Sequence, residues 1–221
     1  MVNIEEVKIT KSNRKSIAIV ILPNGTIEVR APKYIPNFFI KQFIKSKSDW
    51  IKNKQDLVAK NKPKTRKFEN YEKFMYLGEE YVLELGNYVH IEISDNKLLF
   101  PLGLAQQGKA ALEKWYIKQA KNIIKNQVEH YAKALDTSYE SISFSDTRSK
   151  WGSCTHDNRL QFNWRLIMAP LLVVRYVVIH ELVHTTNKNH SHVFWNKVRL
   201  LNPSYKQQIK WLKLHGNKLH I

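Results

Sequence analysis

The chain has 221 residues, of which 43% are apolar and 25% are charged, the composition of an ordinary soluble globular protein. No apolar run approaches the roughly 20 residues that a membrane-spanning helix needs, and the N-terminal residues lack the apolar core of a signal peptide. Cys154 is the only cysteine, so the sequence predicts no internal disulfide and favours a cytoplasmic protein with no membrane partner.

The net charge of +17 is unevenly distributed along the chain. Residues 1–67 carry 16 Lys and Arg against 5 Asp and Glu, residues 68–146 carry 8 against 12, and residues 147–221 carry 12 against 2. Two such basic segments can contact the phosphates of nucleic acid. Lysines outnumber arginines 28 to 8, however, which codon bias in an AT-rich genome would also produce. Charge alone therefore leaves nucleic-acid contact through the basic surface as an open interpretation.

The N-terminal third predicts a β-hairpin followed by a helix. Residues 7–30 are rich in β-branched side chains and contain the turn sequence Pro23-Asn24-Gly25, which predicts two strands joined at that turn. Apolar residues at helical spacing predict one helix over residues 37–61. The polar and basic residues 60–67 predict an exposed connector.

The rest of the chain predicts strands and helices in alternation. Strands are expected within 74–100 and 139–168, the latter including RLQFNWRL, and helices are expected over 106–135, from Pro170 onward, over 192–201 and from Asn202 to near Gly216. Ser191 is the expected N-cap of the helix over 192–201. The predicted division is a β-hairpin plus basic helix over residues 1–67 and a second domain over residues 68–221.

His180-Glu181-Leu182-Val183-His184 matches the pattern H-E-x-x-H. On a helix, His180 and His184 lie on one face and can bind one metal ion, while Glu181 can reach a water on that ion. The helix is otherwise strongly apolar, where an uncompensated cluster of polar residues would be costly. These residues therefore predict a metal site rather than polar residues at a helix end.

The candidates for the third metal ligand can be reduced by elimination. Zinc in a hydrolytic site usually has three protein ligands and an open fourth position, and no Asp or Glu follows Glu181. His190 follows at a suitable distance, if the helix ends near Asn187, a residue that tolerates the left-handed conformation. His192 and a Cys154 thiolate are the weaker alternatives. His156 is expected to be solvated, and His215 and His220 to be cationic residues near the C-terminus.

Several motifs together resemble the YgjP-like metal-dependent hydrolases, which are zincin-fold proteins related to SprT-like proteases. The motifs are RSKWGSC (148–154), LQFNWRL (160–166), YVVIHELVH (176–184) and NHSHVFW (189–195). The resemblance implies an α+β fold, namely a zincin-like metallopeptidase domain whose active-site helix packs on a small antiparallel sheet, with an N-terminal β-rich lobe. It also implies one zinc ion on His180, His184 and His190, with Glu181 as the catalytic base.

The predicted function is zinc-dependent hydrolysis of peptide bonds in a peptide or protein substrate, by a metal-activated water with Glu181 as general base. Arg148, Arg165, Tyr176 and Tyr205 are the candidate stabilisers of the transition state. The strand over 159–166 is expected to be a sheet edge that an extended peptide can join.

Two other functions remain in view. Endoribonucleases with H-x3-H-x5-H zinc sites would suit a basic protein, but they lack the glutamate that follows the first histidine here. The chain could also be a protease recruited to nucleic acid through its basic surface. A purely structural zinc module is disfavoured because it would not need Glu181.

Overall fold

The computed structural model describes residues 7–22, 24–60, 66–147 and 149–221, and the chain forms two compact units, one within residues 1–64 and one within residues 65–221. No helix in these described ranges is long and apolar enough to cross a membrane.

The N-terminal unit is a three-stranded sheet with two helices. Its elements are β1 (Lys8–Ser12), β2 (Ala18–Ile21), β3 (Ile27–Pro32), α1 (Asn37–Ser46) and α2 (Ser48–Lys60). The strand order is β1-β3-β2, with β2 and β3 antiparallel and β1 parallel to β3. The hairpin turn predicted between β2 and β3 is confirmed, and Gly25 supplies its positive φ of 87°.

The single helix predicted over 37–61 is wrong, because the structure has two helices that meet at Lys47. The hydroxyl of Ser46 donates to the carbonyl of Phe43 at 2.8 Å, so a side chain competes for the backbone acceptors of the last turn of α1. The predicted helix also reached Asn61, which lies outside the described residues.

The second unit contains two small sheets and four helices among its described residues. Its elements are β4 (Lys73–Tyr76), β5 (Glu79–Gly86), β6 (Glu92–Ser94), β7 (Lys97–Pro101), α3 (Gly108–Ala134), β8 (Ser141–Ser145), β9 (Gly152–Cys154), β10 (Arg159–Asn163), α4 (Leu171–Thr186), α5 (His192–Leu201) and α6 (Tyr205–His215). The strand orders are β4-β5-β7-β6 and β8-β10-β9. The α+β fold class is therefore as expected.

Two expectations about the second sheet are corrected. The sheet is mixed rather than antiparallel, because β8 and β10 run parallel while β9 and β10 run antiparallel. The strand predicted to be an edge, β10, lies in the middle, and β9 forms the edge beside α4. The predicted strand also ends early, since residues 164–168 form a 3-10 helix after Asn163, whose side chain accepts from the amide of Arg165.

The helix α4 is buried on most of its surface, as its uniformly apolar sequence predicts. The long helix α3 packs against it, and the buried side chains of α3 recur every four residues, at Leu112, Tyr116, Ala120, Ile124 and Val128. The turn between β4 and β5 holds the start of α4, because the amides of Leu77 and Gly78 donate to the carbonyls of Ile167 and Met168. The residues before Pro170 are thereby fixed in place.

Candidate metal centre

Three histidine side chains converge at the C-terminal end of α4. His180 and His184 are one helical turn apart, and His190 lies in the segment between α4 and α5. The Nε2 atom of His190 is 3.0 Å from Nε2 of His180 and 3.2 Å from Nε2 of His184. Within the described ranges this is the single group of three or more such side chains whose donor atoms could share one ion. The structure thus brings together the three histidines singled out in the sequence.

The electrostatic state of the histidines suits metal binding. Nδ1 of His184 lies 2.9 Å from the carbonyl oxygen of Asn187, so Nδ1 donates its hydrogen and the Nε2 lone pair faces the other two rings. Burial, followed by the two neighbouring imidazoles, lowers the pKa of His180 to about 3. Burial is also the largest cause that lowers the pKa of His184. These two rings are therefore neutral at pH 7, the form in which imidazole binds a metal.

The donor set fits a zinc ion. One imidazole nitrogen cannot form good hydrogen bonds to two neighbouring imidazole nitrogens at once, whereas a cation among the three is bound by all of them. Three imidazole ligands with room for a fourth group is the pattern of catalytic zinc sites. The Nδ1 atom of His180 is buried without a hydrogen-bond partner among the described residues, which leaves this ring held by packing instead.

Aromatic rings of α5 supply that packing. The Phe194 ring lies 4.9, 4.6 and 4.7 Å from the rings of His180, His184 and His190, measured between centroids. Trp195 stacks on His190 at 5.7 Å. Because Phe194 is fully buried, the three imidazoles rest on a rigid apolar surface.

Glu181 lies one residue beyond the first histidine and is 6% exposed. Burial raises the pKa of Glu181 to about 7, and the nearby ammonium of Lys150 opposes this shift. The side chain lies directly over Gly152 in the edge strand β9, where a Cβ would lie 2.6 Å from Cγ and 2.7 Å from Oε1 of Glu181. The carboxyl group therefore occupies space that exists only because residue 152 has no side chain.

Two tyrosines border the histidines. The Tyr176 ring lies 5.8 Å from the His180 ring, and burial, then Glu181 and Tyr205, raises the pKa of Tyr176 to about 12. Tyr205 stacks on Trp195 at 5.2 Å. The Tyr176 ring therefore lies beside the cluster, whereas Tyr205 is connected to it through Trp195. The hydroxyl of Tyr176 stays protonated at physiological pH.

Arg165, one of the two candidate arginines, contacts residues outside the cluster. Arg165 is buried, forms an ion pair with Asp146 and stacks on Trp164, with its guanidinium carbon 4.3 Å from the ring centroid. Burial is also the main cause that lowers the pKa of Arg165. Arg148 lies outside the described residues.

The alternative ligands are engaged elsewhere. The thiol of Cys154 donates to the carbonyl of Thr155 at 3.4 Å and lies 3.8 Å from Nζ of Lys188. Nδ1 of His192 lies 3.0 Å from the side-chain nitrogen of Asn196, at the start of α5 as expected. His215 is at the C-terminal end of α6, and its ring lies 5.1 Å from that of Trp211.

The segment that carries His190 is partly as predicted. The helix α4 does end before Asn187, but that residue is extended, with φ −129° and ψ 91°, rather than left-handed. In this extended conformation its carbonyl accepts the hydrogen bond from Nδ1 of His184. The sequence alone does not indicate that this carbonyl, Gly152 or Phe194 contacts the site. The one available signal is the glycine within the motif RSKWGSC.

An α+β domain with three imidazole nitrogens converging beside a buried carboxyl group has the architecture of a metallopeptidase domain. The family model described as "YgjP-like, metallopeptidase domain" matches residues 15–215, and the chain belongs to this family. The resemblance noted in the sequence is therefore confirmed.

Two solved structures of metallopeptidase zymogens are similar to part of the chain. The metallopeptidase zymogen of Pyrococcus abyssi abylysin is 18% identical and covers 42% of this chain and 95% of its own, with a TM-score of 0.38. The metallopeptidase zymogen of Methanocaldococcus jannaschii jannalysin is 23% identical and covers 42% of this chain and 94% of its own, with a TM-score of 0.35. No curated protein matches the chain.

Proposed function

We propose that the chain is a zinc-dependent metallopeptidase whose catalytic domain spans residues 68–221. His180, His184 and His190 hold one zinc ion, and Glu181 is the catalytic base. The observation that carries this proposal is the convergence of three Nε2 atoms at 3.0 and 3.2 Å beside a buried carboxyl group. A structural zinc site would not require that carboxyl group, whose burial is costly.

The chemistry divides between the ion and the side chains. Zinc, when bound, lowers the pKa of water and polarises a carbonyl. The Glu181 carboxylate removes a proton from the attacking water and passes it to the nitrogen of the leaving amine. The carboxylate is held for this transfer between the helix and the backbone of Gly152.

Tyr176 is the candidate that best supports the developing oxyanion. Its ring touches His180, and a phenol that stays protonated can donate a hydrogen bond to a negatively charged oxygen. Tyr205 is the second candidate, because its ring stacks on Trp195, which in turn stacks on His190. Arg165 is already paired with Asp146, which favours a structural role.

The edge strand β9 offers a place for an extended substrate. The amide of Asn163 donates to Trp151 and that of Thr155 to Arg159, so residues 151 and 155 face β10. Backbone groups alternate in an antiparallel pair, and those of Gly152 and Cys154 therefore point to the other side, where no described strand pairs. A peptide that adds to this edge lies next to Glu181, which favours unfolded or extended protein segments as substrates.

The test is metal content and hydrolysis of an unfolded protein, measured on wild type, His190→Ala, Glu181→Gln and the control His192→Ala. Wild type should hold about one zinc per chain, and His190→Ala should lose at least about 100-fold in affinity, more than the 10- to 100-fold typical of residues that only support ligands. Glu181→Gln should keep the metal and lose hydrolysis. His192→Ala should behave as wild type.

Two results would count against the proposal. If His190→Ala binds zinc as tightly as wild type, the third ligand is a different residue. If Glu181→Gln still hydrolyses the unfolded protein, Glu181 is not the catalytic base.

A further inference from the structure

The start of α1 and the residues just before it expose aromatic rings. Tyr34, Phe38 and Phe39 are 74%, 71% and 57% exposed, and the rings of Phe38 and Phe39 meet edge to face at 5.6 Å. The core of this unit is formed by the opposite side of the helix, through Ile40 and Ile44. We call the surface formed by Tyr34, Phe38, Phe39, Trp50 and the lysines between them the aromatic face. Clustered exposed rings of this kind mark a binding surface.

The charged side chains in the stretch that carries most of these rings are all positive. Residues 33–47 contain four lysines and no acidic residue. Lys41 and Lys45 follow Phe38 by three and seven residues, which places their side chains on its side of the helix. All four lysines are exposed, and none forms an ion pair with a described residue. The charge that complements this face is therefore negative and belongs to a partner.

A shallow depression extends the aromatic face toward α2. Its lining residues are Ile19, Phe43, Lys47 and Trp50. Phe43 lies one helical turn beyond Phe39, and Trp50 is partly exposed, so apolar rings continue from α1 into the depression with a lysine at its rim. This combination of flat rings and point charges fits a chain of aromatic units linked by anions.

We propose that the aromatic face binds single-stranded nucleic acid, with bases stacked on Phe38, Phe39 and Trp50 and phosphates near the lysines. Single-strand binders combine aromatic rings with a positive surface in this way. An acidic peptide or an anionic membrane would accept aliphatic side chains as well. Yet the large apolar residues exposed between positions 33 and 50 are all aromatic, while Ile40 and Ile44 are buried. This inference does not depend on the metal centre or on the proposed peptidase activity.

The test is the affinity of the full chain for a fluorescent oligothymidylate across a series of salt concentrations, with and without a zinc chelator. Phe38→Leu keeps apolar surface but removes the ring, and should weaken binding roughly 10-fold or more without changing the salt dependence. Phe38→Tyr should bind as wild type. Lys41→Ala should weaken binding and reduce the slope of log affinity against log salt by about 0.7. Tyr71→Leu is the control, because Tyr71 is 84% exposed but lies in the other unit.

The design separates this proposal from its rivals and from the metal site. Binding that survives Phe38→Leu and depends only on lysines would overturn stacking and leave non-specific charge attraction. Polyglutamate or phosphatidylserine vesicles are added as competitors of the oligothymidylate. If either displaces it, and if Phe38→Leu binds that competitor as tightly as wild type does, the aromatic face binds an acidic peptide or a membrane instead. Loss of binding on chelation would place the nucleic acid at the histidines, again contrary to the proposal.

Discussion

At the scale of single residues, the contact that matters most for the proposed chemistry joins Glu181 to Gly152. The two residues are distant in sequence, and the contact exists because α4 packs against the edge strand β9. The carboxyl group is buried at that point, in the close-packed interior of the unit. Residue 152 therefore limits where the Glu181 carboxyl group can lie.

We expect Gly152→Ala to lower kcat for an unfolded protein substrate about 100-fold with little change in KM, because a shift of about 1 Å in a catalytic group costs this much. The new Cβ would lie 2.6–2.9 Å from three atoms of Glu181. Zinc affinity should be unchanged. Gly103→Ala is the matched control, since a Cβ there meets nothing within 4 Å.

A double mutant tests whether the new methyl group at residue 152 clashes with the Glu181 side chain. Glu181→Ala removes the atoms that the new Cβ would strike, so Gly152→Ala should destabilise the wild type but not the Glu181→Ala variant. Equal destabilisation in both backgrounds, measured by urea unfolding, would show that the strand rather than the carboxyl group resists the methyl group.

Which of these residues can be predicted from sequence depends on how local their interactions are. His180 and His184 follow from helical spacing. His190 follows from its spacing after His184, from a helix end near Asn187 and from the absence of any Asp or Glu after Glu181. Gly152 acts through a contact with Glu181, which is distant along the chain, and Phe194 acts through the packing of α5 against α4. The spacing of residues in the sequence does not indicate either contact.

At the scale of elements, local signals again succeed where the cause is local. Ser191 predicts the start of α5, and its hydroxyl does accept from the amide of Phe194 at 3.4 Å. The break between α1 and α2 has no Pro or Gly to announce it. The middle position of β10 is set by β8, a partner that the alternation of apolar residues cannot specify.

The β4–β5 turn gives a prediction at this scale. Gly78 has φ 91°, and a Cβ there would lie 2.8 Å from the Cα of Pro170, at the start of α4. We expect Gly78→Ala to destabilise the second unit by about 2–5 kcal/mol, from the left-handed conformation and from the clash with backbone.

The control separates these two causes. Gly25 also has a positive φ of 87°, but a Cβ there meets nothing within 4 Å. Gly25→Ala should therefore cost its own unit only about 1–2 kcal/mol. If denaturant unfolding gives equal losses for the two variants, the close approach to Pro170 contributes nothing to stability.

At the scale of the whole molecule, the two units have separate cores and separate chemistry. The N-terminal core contains Val29, Ile40 and Ile44, whereas the larger core surrounds α3 and α4 and includes Phe194, which supports the histidines. The proposed peptidase site belongs entirely to the second unit, and the proposed nucleic-acid face entirely to the first. Loss of one activity should therefore leave the other measurable.

Zinc should then stabilise one unit and not the other. A ligand that binds only the folded state adds RT ln(1 + [L]/Kd), or about 2.7 kcal/mol when free zinc is 100 times Kd. Of the six tryptophans, Trp50 alone lies in the first unit, so the fluorescence of a Trp50→Phe variant reports the second unit alone. The unfolding transition of the second unit should move to higher denaturant concentration with zinc and return with a chelator, while hydrogen exchange of the β2 and β3 amides stays constant.

Two variants are the controls for this zinc effect. His190→Ala should abolish the shift and Glu181→Gln should retain it. A zinc effect that is the same in both units, or that survives His190→Ala, would mean that the ion binds somewhere other than the three histidines.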